Sequence, residues 1–355
     1  MNISLEDAEV TKTQPKPTQK LSKKTMHYAG DGIAVLQVDN SSLSNHVQCA
    51  TKYFYNSIKK RCRDNQTALT YGSGIHEALE YYYTVKAKGE PFESRTMMQK
   101  ALVPFDGSSV PVGEWRTPEL CMDTLKKYVT HYHSKDEFTI VDLDDGPAVE
   151  QSFSLPLGEI PFEDDIDISL FSNPEEIITQ HPDHKPTDTL YIDTVQIFWI
   201  GKIDMVVDYN GNKFVFDHKT TSRLGYSFWG QFPTSRQMQG YTWAVGEILG
   251  ELPKGVEINC IAGRKPTKTG TGTEFARQKF YYTPETIEEW KQNTLELCSD
   301  LLYNFRRGKF PMNTDQCMAK YGTCPYLDCC SLPPKQREMF LATDHYTDNT
   351  WSPLD

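Results

Sequence analysis

The feature that most constrains the fold is a pair of apolar runs between Gly201 and Lys219, joined by Asn210-Gly211. The runs I-D-M-V-V-D-Y and K-F-V-F-D-H-K are rich in residues typical of strands, and Asn-Gly suits a type I′ turn. The sequence therefore predicts an antiparallel hairpin. Asp217 and Lys219 are two residues apart on its second strand, so we expect their side chains on one face.

Asp204, Asp217 and Lys219 have the chemistry of a site for phosphodiester hydrolysis. Two carboxylates can hold a divalent cation, while a lysine polarises the attacking water or stabilises the developing negative charge. The alternative is structural, with Asp204 and Asp208 flanking a turn and Lys219 at a sheet edge. The hairpin alone does not separate the two, because D-x-K is a short pattern.

Further motifs surround the hairpin. They are G-S-G-I-H ending at His76, G-x-x-D from Gly201 to Asp204, D-x-K-T from Asp217 to Thr220, and Q-x-x-x-Y from Gln237 to Tyr241. Together they resemble the PD-(D/E)XK nuclease superfamily, and in particular its RecB-like exonuclease branch. The resemblance implies an α/β fold with a restriction-endonuclease-like αβββαβ core, in which helices flank a mixed central sheet. The periodicity of the sequence itself indicates only α/β content.

The resemblance also implies roles for individual residues. His76, Asp204 and Asp217 would bind Mg²⁺ or Mn²⁺, and Lys219 would be catalytic beside the two aspartates. The main-chain carbonyl of His218 would be a further metal ligand. Outside the family pattern, a histidine at a helix start is more often a surface or capping residue.

Three more residues, all outside the hairpin, resemble positions of the family. Glu150, in A-V-E-Q-S-F, resembles an acidic residue that many members carry on the preceding strand. Gln237 and Tyr241 are one helical turn apart, so they share a helix face, and they would organise the lysine and contact the DNA backbone. The alternatives are a solvated strand glutamate and ordinary residues of an amphipathic helix.

The cysteines form a second pattern. Cys317, Cys324, Cys329 and Cys330 crowd the C-terminal region, while Cys49 is near the start. The first 25 residues are polar and contain no secretory signal. We therefore expect a reducing cytoplasm, in which clustered thiols indicate metal more than disulfides. The short C-x-x-C knuckles of usual zinc sites are missing.

The cysteine spacing instead resembles the iron–sulfur branch of the same superfamily, which includes CRISPR-adaptation exonucleases, AddB-type helicase–nuclease subunits and stand-alone phage members. The resemblance implies a [4Fe–4S] cluster held by four thiolates: those of Cys49, Cys317, Cys324 and Cys330, with Cys329 as the alternative to Cys330. Such a cluster would act as a structural staple between the N- and C-terminal segments. A zinc-binding module or unrelated reduced thiols are the alternatives.

The chain divides into a few regions. We predict a disordered polar tail at 1–25, a nuclease domain at 26–330 with an acidic insertion at about 157–190 and an iron–sulfur segment at 317–330, and a C-terminal tail at 331–355. Helices are predicted at 42–63, 68–88, 117–133, 234–249 and 284–307. Strands are predicted from 149, with a break at the insertion, and at 194–209, 213–219, 257–263 and 275–283.

The net charge of −11 is unusual for a protein that binds phosphates. Nine acidic residues and one lysine lie between Glu159 and Asp188, so much of the deficit falls in the insertion, which we expect to face solvent or a partner. No apolar run approaches the ~20 residues of a membrane span. We expect no membrane association.

The sequence thus predicts a metal-dependent DNA nuclease, with exonuclease action on single strands or DNA ends favoured, serving replication, recombination or repair. A restriction-type or structure-specific endonuclease and a non-catalytic DNA-binding subunit are the alternatives. A helicase or a recombination or annealing protein is a possible partner. The expected location is the cytoplasm of a bacterial cell, with a phage as a possible source of the gene.

Overall fold

The computed structural model describes residues 26–63, 67–106, 110–111, 113–265, 272–319, 322–349 and 352–354. The polar tail predicted at 1–25 lies outside these ranges. Within them, no helix combines the length and the apolar composition needed to cross a bilayer.

The described ranges contain both long strands and short paired segments. The strands are β1 (Met26–Gly30), β2 (Ile33–Val38), β3 (Arg61–Cys62), β4 (Thr139–Ile140), β5 (Asp142–Leu143), β6 (Gly146–Pro147), β7 (Val149–Asp167), β8 (Thr189–Tyr209), β9 (Asn212–Thr221), β10 (Gly255–Ala262), β11 (Glu274–Tyr281), β12 (Met318–Ala319), β13 (Gly322–Thr323) and β14 (Thr347–Asp348).

The helices lie mainly before and after the long strands. They are α1 (Asn40–Gln48), α2 (Ala50–Tyr53), α3 (Thr67–Ala87), α4 (Ser94–Leu102), α5 (Pro118–Tyr132), α6 (Pro174–Gln180), α7 (Tyr226–Trp229), α8 (Arg236–Leu249), α9 (Pro284–Arg306), α10 (Leu327–Cys330) and α11 (Pro334–Leu341), with a π-helical turn at Phe54–Ile58.

A mixed sheet of eight strands organises the molecule. Its order is β1-β2-β8-β9-β10-β11, and β7 and β4 also pair with β8. The β2–β8 and β9–β10 pairs are parallel, whereas the remaining pairs are antiparallel. This arrangement confirms the predicted mixed α/β fold with a central sheet and flanking helices.

Two different strands pair with the same edge of β8, one along each part of its length. β2 pairs with it as far as Trp199, opposite Val38, and β9 pairs with it from Met205 onward, opposite Phe216. The other edge pairs with β7 as far as Met205 and with β4 at Val207 and Asp208. Over residues 200–204, in the described part of the chain, neither β2 nor β9 pairs with the edge that they share. The strand neighbours separate there, which leaves room for side chains.

Helices cover both faces of the sheet because its strands are apolar on both sides. On one face, Ile75 and Leu79 of α3 pack in a cluster with Phe216. On the other, Trp199 packs in a cluster with Met238 of α8 and residues of α9. The sheet is therefore the middle layer of three, and α3 and α8 lie on opposite sides of it.

Two element predictions were wrong. The helix predicted at 42–63 is broken at Cys49, whose backbone is extended with φ −166° and ψ 118°. The strand predicted to break at 157 continues to Asp167, and β8 already begins at Thr189. Buried and exposed residues alternate along this extension, and Phe162 and Ile166 are buried. The insertion can therefore pair as a hairpin with its acidic side chains on the exposed face.

The C-terminal region packs against the N-terminal one. β14 pairs with β3, joining Thr347 to Cys62 and Asp348 to Arg61. The Thr51 hydroxyl also donates to the carbonyl of Phe310 at 2.7 Å. The segment predicted only as a tail from residue 331 thus contains a helix and a paired strand.

Candidate functional site

Four elements bring polar side chains together where β2 and β9 separate on β8. α3 carries His76, β7 carries Glu150, β8 carries Asp204, and β9 carries Asp217 and Lys219. The predicted hairpin forms as expected, with positive φ at Asn210 (52°) and Gly211 (89°), as a type I′ turn requires. The hairpin thus brings Asp204 and the Asp217–Lys219 pair into one region.

His76, Glu150 and Asp204 form the tightest group. The imidazole Nδ1 lies 3.4 Å from Asp204 Oδ1 and 3.9 Å from Glu150 Oε1. One ligand atom from each residue lies within 4.8 Å of the others. The residue that the sequence connected least firmly to the site, Glu150, is therefore in its centre, whereas Asp217 is outside this particular group.

Glu150 is opposite Asp204 across the β7–β8 pair, between the partners Val149–Met205 and Gln151–Ile203. Its φ is 51°, a left-handed conformation that is uncommon for a residue other than glycine. Backbone strain of this kind is often found at functional sites.

Lys202 is a neighbour that the sequence analysis missed. Its Nζ lies 2.9 Å from Glu150 Oε2. Burial alone would lower the pKa of Lys202, but Glu150, with Glu80 and Glu77, raises it above its usual value. Lys202 is two residues before Asp204 on β8, so the strand period was the available signal that both side chains share a face. The lysine partly neutralises the acidic group.

Asp217 and Lys219 form a partly buried ion pair beside this group. Lys219 Nζ lies 2.7 Å from Asp217 Oδ2, and Asp217 is 1% exposed. Burial raises the pKa of Asp217 to about 6, although Lys219 opposes the change. Burial alone would lower the pKa of Lys219, but Asp217 and Asp204 raise it. The lysine therefore carries its charge at neutral pH.

The histidine and carboxylates stabilise opposite charges on each other. Burial lowers the pKa of His76, but Asp204 and Glu150 outweigh burial and raise it to about 10. Burial would likewise raise the pKa of Asp204, yet His76 holds it well below its usual range. A protonated imidazole thus supplies the positive charge that these acids need. One imidazole and clustered carboxylates form a donor set suited to a divalent cation.

The backbone and the side chain of His218 have separate surroundings. Its N–H donates to Asp204 Oδ2 at 2.7 Å. Because the N–H and C=O of one strand residue point to the same edge, its carbonyl also points toward β8. Its imidazole Nδ1 lies 2.7 Å from Asn259 Nδ2, and Arg277 Nε donates to Asn259 Oδ1 at 3.0 Å. This buried network behind the site was not predicted.

Gln237 and Tyr241 of α8 approach the site from the opposite face to α3. Gln237 Nε2 donates to Tyr241 Oη at 3.1 Å. A Cβ at Gly201 would be 3.0 Å from the Tyr241 ring and 2.6 Å from Phe153, so this glycine allows the helix to approach. Burial, followed by Asp217 and Asp204, raises the pKa of Tyr241, which indicates its proximity to the carboxylates.

Four of the cysteines line one cavity of about 500 Å³: Cys49, Cys317, Cys324 and Cys330. Cys329 is fully buried, and its thiol donates to the carbonyl of Arg337 at 3.7 Å. Of the two adjacent cysteines, Cys330 lines the cavity and Cys329 does not. Burial, with Cys329 and Cys324 nearby, raises the pKa of Cys330 to about 12. Cys330 therefore needs a nearby positive charge, such as a bound cation, to be a thiolate at neutral pH.

Comparison with protein families identifies the class. A sequence model of the PD-(D/E)XK nuclease superfamily matches residues 40–331, which is more than half of the chain. The chain belongs to this superfamily, whose members are metal-dependent nucleases. The mixed sheet and its flanking helices agree with a restriction-endonuclease-like fold. Comparison with curated proteins gives no significant match.

Proposed function

We propose that this chain is a DNA exonuclease that acts on single strands or DNA ends and uses Mg²⁺ or Mn²⁺. The observation that carries the proposal is the His76–Glu150–Asp204 group beside the Asp217–Lys219 ion pair, which together come from three strands, β7, β8 and β9, and one helix, α3. The family defines a nuclease, and this group supplies the chemistry within it.

The cation would be held by His76, Glu150 and Asp204, with Asp217 and the His218 carbonyl as further candidates. When bound, it would stabilise the charge on the phosphate and lower the pKa of a coordinated water. Oxygen ligands suit both ions, and the imidazole makes Mn²⁺ competitive with Mg²⁺.

Lys219 would act as a fixed positive charge rather than as a base. Its pairing with Asp217 favours the ammonium form, and an ammonium can donate hydrogen bonds to a phosphate oxygen as negative charge develops. Gln237 would orient the Tyr241 hydroxyl through their hydrogen bond, and this pair would contact the DNA backbone.

The preference for exonuclease action rests on the resemblance of the His76 and Q-x-x-x-Y motifs to the RecB-like branch. A restriction-type or structure-specific endonuclease would use the same acids and lysine. The chain contains every predicted metal ligand and Lys219, which argues against a non-catalytic subunit. Action in a bacterial cytoplasm, beside a helicase or an annealing protein, remains a prediction.

The activity is tested with end-labelled linear and closed circular single-stranded DNA in Mn²⁺. Asp217→Asn and Lys219→Ala should each reduce cleavage about 10²- to 10⁴-fold. Glu247→Gln, on the exposed surface of α8, is the control and should retain wild-type rates. Degradation of linear DNA alone would support the exonuclease, whereas nicking of circles would favour the endonuclease. Equal cleavage by wild type and Asp217→Asn would contradict the mechanism.

The four cavity cysteines would hold a [4Fe–4S] cluster that joins the ends of the described chain. A single tetrahedral zinc with bonds of about 2.3 Å needs its sulfurs roughly 3.8 Å apart. Among the described residues, the group of three or more ligands that meet within 4.8 Å contains no cysteine. Wider thiol spacing in a roomy cavity supports a larger metal cluster.

Purification without oxygen tests this part of the proposal. We expect a brown protein with about four irons per chain, and Cys324→Ser should lose the iron. Cys260→Ser, at a buried thiol away from the cavity, should retain it. One zinc and no iron in the anaerobic protein would refute the cluster.

A further inference from the structure

A second, smaller cavity of about 130 Å³ opens at the C-terminal end of β9, next to the proposed catalytic strand. Thr220, Thr221 and Ser222 line it directly after Lys219, and Tyr71 and Arg116 line it from α3 and from the segment before α5. Hydroxyl groups and a guanidinium therefore surround a space that the nuclease chemistry described above does not use.

The position of this cavity is fixed by the helix that carries His76. A Cβ at Gly72 would be 3.3 Å from Thr220 Oγ1, so α3 passes close to β9 at this point. Tyr71 and Ala68, which line the cavity, are five and eight residues before His76, which corresponds to a rise of about 7.5–12 Å along α3. The cavity thus lies about one and a half to two helical turns from the proposed metal group, close enough for a nearby phosphate of the same strand.

Contacts with Trp115 and Glu114 position the side chain of Arg116 in this cavity. Its guanidinium carbon lies 4.4 Å from the centroid of the Trp115 ring, a geometry typical of a cation–π contact. Its Nη1 donates to Glu114 Oε1 at 3.2 Å. Glu114 Oε1 also accepts from the backbone N–H groups of Trp115 and Arg116, both at 3.0 Å. Since a guanidinium has five N–H donors, this one contact does not exhaust its capacity.

We propose that this cavity binds a phosphate of the DNA strand next to the one that is cleaved, with Arg116 as its main contact. The inference rests on the proposed nuclease function and adds a subsite that sets the register of the strand. A guanidinium supported on an indole is suited to binding a phosphate through two hydrogen bonds. Hydroxyls of Thr220 and Ser222 add donors of the kind that contact phosphate oxygens, whereas the Thr221 hydroxyl already donates to the carbonyl of Arg223.

The size and lining of the cavity favour a phosphate over a base. Sites for larger organic ligands measure about 300–1,000 Å³, well above the size found here. Glu114 would oppose an anion, but its oxygen is already engaged by two backbone N–H groups and the guanidinium, which reduces its effective charge. Arg116 would then distribute its remaining donors toward the strand.

The experiment compares wild type, Arg116→Gln, Arg116→Lys and Arg95→Gln. Arg95 is exposed on α4 and provides the control for loss of one positive charge. Cleavage of single-stranded thymidine oligonucleotides in Mn²⁺ gives kcat and KM. A parallel series carries one uncharged methylphosphonate at successive linkages on either side of the cleaved bond. Fluorescence anisotropy in EDTA gives DNA affinity at several salt concentrations without any cleavage.

Arg116→Gln should raise KM about tenfold and leave kcat within about twofold, and Arg116→Lys should be intermediate. The slope of log affinity against log salt should decrease in magnitude by about 0.7, the value for one phosphate contact on a single strand. A methylphosphonate at one linkage beside the cleaved bond should raise the KM of wild type and have no effect on Arg116→Gln. A loss of folding would not produce this linkage-specific coupling.

An unchanged KM and salt slope in Arg116→Gln would overturn the inference, as would identical methylphosphonate profiles in wild type and variant. If wild type cleaves no DNA with either metal, the proposed function fails instead. The salt slope in EDTA still tests the phosphate contact in that case, because it requires only binding.

Discussion

Lys202 and the proposed cation would compete for the same carboxylate. The ammonium lies 2.9 Å from Glu150 and would repel a dication bound there. Replacing it with glutamine should therefore strengthen Mn²⁺ binding about tenfold, which corresponds to one charge at short range in a partly solvated site. Calorimetric titration of Mn²⁺ measures the effect. Lys202→Arg keeps the charge and should bind within about threefold of wild type, and weaker binding to Lys202→Gln would count against this competition.

Proton release from His76 should make cation binding depend on pH. Its pKa of about 10 means that the imidazole must lose a proton before it binds a metal, so the Kd for Mn²⁺ should fall about tenfold per unit between roughly pH 7 and 9. His76→Gln should show a much flatter dependence over this range. If the Kd of that variant still depended steeply on pH, the proton released on Mn²⁺ binding would come from another group.

The same pKa has a consequence for stability without metal. A histidine whose pKa is raised on folding contributes stability that is fully present below its unfolded value near 6.5 and is lost as pH rises toward about 10. The difference in the free energy of unfolding between wild type and His76→Gln, measured with urea in EDTA, should therefore shrink from pH 6 to pH 10. A difference that grew over this range would contradict the charge pairing with Asp204.

At the scale of elements, the contact between α8 and β8 depends on a glycine. A Cβ at Gly240 would lie 2.7 Å from the indole of Trp199, which is fully buried. Gly240→Ala should push the helix away and lower the free energy of unfolding by about 1–3 kcal/mol. It should also weaken cleavage, because Gln237 and Tyr241 are on the same helix.

Gly246→Ala is the matched control on α8. The nearest atom to its Cβ would be Leu252 Cδ1 at 3.1 Å, the end of a flexible side chain. Alanine also favours a helix over glycine by up to about 1 kcal/mol, so this variant should be neutral or more stable in urea titrations. Equal destabilisation by both substitutions would show that the Trp199 contact is not the cause.

The sequence was sufficient for the parts of the fold and site that depend on neighbouring residues. Asn210-Gly211 specified a turn, and the spacing of Gln237 and Tyr241 specified one helix face. The contact of Lys202 with Glu150 joins two strands whose partners are far apart along the chain, and no local pattern encodes that register. The positive φ of Glu150 and the extended backbone of Cys49 are likewise set by tertiary packing.

The hydrogen-bond network behind the site also could not be predicted from the sequence. Arg277 donates to Asn259, and Asn259 contacts His218, only because β9, β10 and β11 lie side by side. A basic residue on an outer strand is ordinarily expected to be solvated. The α/β class was predictable, but which polar residues become buried together required the three-dimensional arrangement.

At the scale of the whole molecule, Arg61 connects the N-terminal region with the segment at 341–348. It donates to the carbonyls of Leu341 and Thr343 and pairs with Asp348 at 2.7 Å. Its own carbonyl accepts from Tyr326 Oη, beside the cysteine cavity. Arg61→Ala should therefore cost about 2–4 kcal/mol of stability and speed the loss of visible absorbance from the proposed cluster in air.

Arg63→Ala is the control for this prediction. Arg63 pairs with Asp328 at 3.0 Å, but both side chains are about half exposed, so the loss should be at most about 1 kcal/mol. Thermal unfolding gives the melting temperature of each variant. It therefore compares the loss of Arg61, which contacts two regions of the chain, with the loss of the surface ion pair of Arg63. Similar melting temperatures would mean that Arg61 does not hold the two regions together.

The pairing of β3 with β14 also limits when the protein can complete its fold during translation. Residues 61 and 348 are separated by nearly the whole described chain, so the early segment must wait for its partner to be translated. At about 5–20 residues per second, that delay is on the order of 14–57 seconds. During this interval the nascent chain exposes β3 and the first cavity cysteine to the cell. Protection of these groups by a chaperone would be needed most in that interval.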